Sequence, residues 1–129
     1  MNDLDDLQLD KYSFSFQDLI GQDKWTAWTP TYSFATATGL TVVGRYKVLG
    51  RQCFFQVQSS GTSIATTGGT SYIDLPIAAT GYGGIVNMYN VTAKTNVGTS
   101  GIDVATSRAQ LPTQLASANT FVFSGSYEI

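Results

Sequence analysis

Between Thr41 and Ser59 the chain alternates apolar and polar positions with a period of two. Val42, Gly44, Tyr46 and Val48 fall on one face of the first run, with Val43, Arg45 and Lys47 on the other. Leu49-Gly50 follows, where glycine supplies the positive φ of a tight turn. The second run sets Cys53, Phe55 and Val57 inward against Gln52, Phe54, Gln56 and Gln58. Two alternating runs around such a turn predict an antiparallel hairpin. Gly44, without a side chain, would let a neighbouring chain approach the first strand closely.

Shorter signals continue the pattern. A Gly/Ser/Thr stretch over 60–71 reads as a loop, and Tyr72 to Leu75 as a short strand stopped by Pro76. Gly83-Gly84 opens a strand over 85–93, where Ile85, Val86, Met88, Tyr89 and Val91 occupy both faces. A strand apolar on both sides is expected at a sheet centre or a subunit contact. Residues 94–100 read as a polar turn, 102–105 as a strand and 107–119 as a connection. The final strand, 120–129, turns Phe121, Phe123, Tyr127 and Ile129 inward. Roughly seven short strands with turn signals between them predict an all-β fold: a single antiparallel β-sandwich or jelly roll over residues 25–129.

Residues 1–24 differ in texture. Leu4 and Leu7 would share a helical face, whereas the Ser-Phe alternation through Phe14 and Phe16 reads as extended. Aromatics and leucines make this segment too apolar for a plain solvated tail. It is expected to be a short N-terminal docking arm, packed on its own domain or on another subunit.

Composition agrees with the strand pattern. The chain is 43% hydrophobic and only 12% charged, about half the usual charged share. Thr, Ser and Gly take up the difference, which suits short strands and small-residue turns rather than solvated helices. Charge is uneven. Residues 1–24 hold six acids against Lys11 and Lys24, a net of −4, and residues 25–129 hold three acids against five basic residues, a net of +2. Neither part has the clustered basic face of a nucleic-acid binder. No basic segment followed by an apolar stretch opens the chain, and no run approaches the roughly 20 apolar residues of a membrane span. Synthesis in a cytoplasm without membrane insertion is expected.

The residues that usually carry catalysis are scarce. The chain has no histidine and one cysteine, and beyond residue 24 its acids are Asp74, Asp103 and Glu128. General acids, general bases and metal ligands come mostly from these four residue types. Cys53 has no histidine partner for nucleophilic chemistry. The chain is expected to bind or build rather than catalyse, with no metal and no cofactor.

The run Trp25-Thr26-Ala27-Trp28-Thr29-Pro30-Thr31 precedes Gly44-Arg45-Tyr46, then Gly50 and the strand Cys53-Phe54-Phe55. Later come Leu75-Pro76, a Gly-rich turn at 81–84 and a strand ending Ser124-Gly125-Ser126-Tyr127. This order resembles the small β-sandwich domains that end bacteriophage tail-fibre and other virion-surface proteins, over residues 25–129. The resemblance implies a homotrimeric, non-enzymatic domain on the outside of a phage particle, attaching to a host cell-surface glycan or receptor. Tail fibres carry a long shaft before the tip, and only about 24 residues precede this domain. That opens a second expectation: a capsid decoration or other virion-accessory protein, anchored to other virion proteins through residues 1–24.

Two sets of candidate residues follow. Tyr82, with Thr80, Asn96, Thr99 and Ser100, could offer an aromatic face and short polar groups to a glycan, although each also suits a turn. Leu4, Leu7, Phe14, Phe16, Trp25, Trp28, Val43 and Phe54 are candidate oligomer or partner contacts. Val43 and Phe54 stand out as apolar residues on the polar face of the hairpin.

Overall fold

The computed structural model describes residues 25–129. The arm, with the candidate contacts Leu4, Leu7, Phe14 and Phe16, lies outside the described residues. The described chain is all β, with twelve strands: β1 Thr26–Trp28, β2 Tyr32–Ser33, β3 Thr36–Thr38, β4 Thr41–Leu49, β5 Gln52–Ser60, β6 Ser63–Thr66, β7 Tyr72–Asp74, β8 Ile85–Asn90, β9 Thr95–Asp103, β10 Arg108–Gln110, β11 Gln114–Ser117 and β12 Phe121–Glu128. Nine form one curled antiparallel sheet in the order β1-β4-β5-β12-β8-β9-β10-β7-β2. The remaining three form a small sheet, β11-β6-β3. The architecture is a β-sandwich.

β4 and β5 form the expected antiparallel hairpin. Val48 lies opposite Cys53, Leu49 opposite Gln52, and Gly50 takes a φ of 62° in the turn. β12 runs beside β5 from Phe121 opposite Ser59 to Glu128 opposite Gln52, and its other edge pairs with β8. The alternation within these strands decides the core. Phe55, Val57, Phe121, Phe123, Val86, Met88 and Tyr127 are buried, joined from the other elements by Ile64, Ile73, Ala109 and Leu111. Burying a side chain of this size contributes about 1.5–3 kcal/mol.

The long strand β9 closes the sandwich. Its first part, Thr95 to Gly101, pairs with β8, whereas Ile102 and Asp103 pair with β10. One strand thereby carries the sheet around the core from β8 to β10, β7 and β2.

Several expectations change. The polar turn expected over 94–100 is mostly strand β9, and the reversal sits just before it, with Lys94 at a φ of 57°. The 60–71 loop contains β6, and the 107–119 connection contains β10 and β11. The strand over 85–93 is central, yet only one face is covered: Val86 and Met88 are buried, while Ile85, Tyr89 and Val91 are exposed. The close approach at Gly44 is made from within the chain, by the indole of Trp28 across the β1–β4 pair. A Cβ at Gly44 would lie 2.6 Å from Trp28 Cε3.

Candidate functional site: the outer face of the large sheet

Register places the outward side chains of β4, β5, β12, β8 and β9 in cross-strand rows, because directly opposed residues share a face. One row reads Val43, Gln58, Val122, Tyr89, Asn96. The next reads Arg45, Gln56, Ser124, Asn87, Thr99, with Ala27 of β1 beyond Arg45. Lys47, Phe54 and Ser126 start a third. These rows hold amides, hydroxyls, a phenol and two cations, and no carboxylate.

Over β4, β5 and β12 the face carries an open depression of about 430 Å³, to which Val43, Arg45, Gln56, Gln58 and Val122 contribute side chains. Arg45 is held in place there. Its Nε and Nη2 both donate to Gln56 Oε1, at 3.0 and 2.6 Å. Its guanidinium carbon lies 4.8 Å from the ring centre of Trp25, and Lys47 Nζ lies 4.9 Å from the same ring. An arginine pinned by an amide and stacked on an indole is ordered before any ligand arrives.

The expected glycan contacts are divided by the fold. Asn96 and Thr99 join the outer face, opposite Tyr89 and Asn87. Three positions apart, they would ordinarily point to opposite sides of a strand. The register shift between Met88 and Tyr89 leaves Val97 as an extra residue, a β-bulge that brings both to one side. Ser100 lies opposite buried Val86 and therefore faces inward. Thr80 and Tyr82 sit elsewhere, on the 75–84 loop beside the end of β12. Thr80 N–H donates to Glu128 O at 2.8 Å, and Gly81 abuts the Glu128 carboxylate. That loop precedes Ile85, and Asn96 faces Tyr89, four residues and about 13 Å further along β8. The five residues do not form one cluster.

Among the expected contacts, Trp25 stacks on the two cations. Trp28 turns to the other side of β1, edge-on to Tyr46 with ring centres 6.3 Å apart. Val43 is exposed at the depression, and Phe54 is half-buried between Lys47 and Ser126. Sequence reading missed Arg45, Gln56, Gln58, Ser124, Asn87 and Val122 as site residues. Their outward alternation was visible, but their alignment across five strands was not.

The three described carboxylates all have structural partners. Asp74 accepts from Thr31 Oγ1 and, at 3.1 Å, from Arg108 Nε. Asp103 accepts from Ala105 N–H at 3.1 Å and Thr106 Oγ1 at 2.7 Å, closing its own turn. Glu128 pairs with Arg51 at 3.6 Å. None of the three contributes to the rows or the depression. Cys53 is buried opposite Tyr127, and burial pushes its thiol above the ordinary 9.0. Tyr127 is also pushed up, by burial first and then by Cys53.

No protein-family model matches this chain, and comparison with curated proteins and with solved structures likewise finds no match.

Proposed function

We propose that this chain is a non-catalytic phage virion-surface protein of the tail-fibre type, attaching to a host cell-surface glycan or other receptor as a homotrimer. The observation that carries this reading is the outer sheet face. It offers an arginine held by an amide, planar amides and small apolar walls around an open depression that no described carboxylate lines, and each of those carboxylates is engaged in a bond of its own. Sugars present hydroxyls to amides and C–H faces to apolar or aromatic groups, and this face has both. The order of the Trp-Thr-Pro-Thr, Gly-Arg-Tyr and Leu-Pro segments supports the virion part of the proposal. Ile85 and Leu115, both exposed, leave apolar surface for a subunit contact.

Adsorption of the purified full-length chain to host cells tests the reading. Saturable binding that is lost after periodate oxidation of the cell surface is expected, with a trimeric mass by light scattering. Decoration of the particle, anchored through the acidic segment 1–24, is the second reading. It would be favoured if the protein ignored cells but bound particles lacking it, and if removing residues 1–24 abolished that binding.

A further inference from the structure

Resting on that glycan-binding reading, we propose that the depression over β4, β5 and β12 is the saccharide site and that it selects an acidic sugar, one bearing a carboxylate such as a uronic or sialic acid. Its volume, about 430 Å³, lies within the roughly 300–1,000 Å³ of small-ligand sites. The selection comes from Arg45. A guanidinium has five N–H donors, and the Gln56 amide oxygen takes two of them. Three remain. Among the described residues Arg45 meets no carboxylate. Its partners are a neutral amide and an aromatic ring, so its charge is positioned without being neutralised. Contrast Arg108, which also lies over an aromatic ring, that of Tyr72, but is paired with Asp74 at 3.1 Å. Arg108 is a structural ion pair, whereas Arg45 is ready for an external anion.

The surroundings suit a sugar rather than a bare anion. Gln58 offers an amide beside Gln56, each able to donate and accept. Val43 and Val122 supply apolar contact for the C–H face of a pyranose ring. Along the same rows Tyr89, Asn87, Asn96 and Thr99 extend the polar surface toward β9, room for a second or third residue of a chain.

The test uses the isotope-labelled full-length protein, titrated with trigalacturonic acid and with sialyllactose, each beside a neutral partner: the methyl ester of the former and lactose for the latter. Amide shifts at Arg45, Gln56, Gln58 and Val122 are expected for at least one acid, with the neutral partner at least tenfold weaker. Binding should also weaken with added salt, as an exposed charge contact does. Arg45→Gln should reduce affinity for the acid at least tenfold. Gln56→Glu should do the same by placing a carboxylate against Arg45. Both positions face outward, and thermal melts of the variants would verify that the fold is kept.

Shifts confined to the Tyr82 loop, equal affinity for acid and neutral sugar, or Arg45→Gln binding like the parent would overturn this assignment and leave glycan attachment standing. Acetate producing the same shifts at the same affinity would reduce the site to an anion contact and overturn it too. A peptide of residues 1–24 filling the depression in preference to either sugar would make the face a peptide-docking surface, against the proposal. A broad glycan array on which the trimer binds nothing, acidic or neutral, would remove the glycan reading itself.

Discussion

Replacing Tyr127 by phenylalanine keeps the buried ring and removes only its hydroxyl. That hydroxyl donates to Ile77 O at 2.8 Å and accepts from Ile77 N–H at 3.3 Å, tying the loop after β7 to the core strand β12. Each such bond is worth about 1 kcal/mol net, and leaving the Ile77 groups short of partners adds to the loss. Ile77 is half-buried, so water recovers part of it. The expected cost is about 2 kcal/mol. For a body of about 100 residues, with an unfolding entropy of roughly 2.1 cal/mol/K per residue, this lowers Tm by about 10 °C. Urea unfolding followed by far-UV circular dichroism would measure it, with an unchanged m-value showing that only stability moved.

The same variant carries a pH signature. The Tyr127 phenol is raised above its ordinary 10.0 in the folded protein. The neutral phenol therefore stabilises the fold fully below pH 10, and this contribution is lost as pH rises from 10 toward the folded value. At pH 11 the unfolded chain has gained about 1.4 kcal/mol from ionising this one group. The phenyl ring of the Tyr127→Phe variant ionises in neither state, so the gap between parent and variant should narrow from about 2 to about 0.6 kcal/mol. The phenol also bonds Cys53 and holds its thiol lower than burial alone would, so the comparison is made in a Cys53→Ala background, which removes the thiol's own titration. A variant within about 0.5 kcal/mol of the parent at pH 7, or a gap that widens at pH 11, would refute the reasoning.

Other outcomes follow from the same contacts. Gly44→Ala would push the Trp28 indole off the strand, costing about 1–3 kcal/mol as overpacking does; unchanged tryptophan emission and stability would contradict it. The Cys53 thiol, buried and shifted upward, should react with Ellman's reagent only as fast as the protein opens, and immediate native-state labelling would be the contrary result. Ser59 Oγ is buried without a hydrogen-bond partner, so Ser59→Ala should leave stability unchanged or raise it by up to about 1 kcal/mol. A loss exceeding about 1 kcal/mol in urea unfolding would mean that the hydroxyl has a role not evident in its surroundings.

What could be read in advance depended on how strongly each segment's side chains reported its environment. β4, β5 and β12 announced themselves because large apolar residues recur at every second position, and the inner faces of β5 and β12 are the buried ones. β6 is hidden because Ile64 is its one large apolar residue, and a Ser/Thr/Gly context reads as a turn. β9 resembles a turn for a similar reason: Thr95 to Gly101 contains only Val97 as an apolar anchor, and its strand conformation is dictated by pairing with β8. The exposed apolars Ile85, Tyr89 and Val91 made β8 look buried on both sides. The outer-face site was the least legible part. Arg45 meets Gln56 and Val43 neighbours Gln58 and Val122 only once three strands are in register. Alternation within a strand says which way a side chain points but not which strand lies beside it.

The central claim, that the chain sits on the outside of a phage particle and faces a host, is tested most directly by gold-labelled antibody against it on purified virions in electron microscopy. Label concentrated at the tail end is the expected result. Label spread over the head would contradict attachment in favour of capsid decoration, and particles without label would contradict the virion assignment altogether.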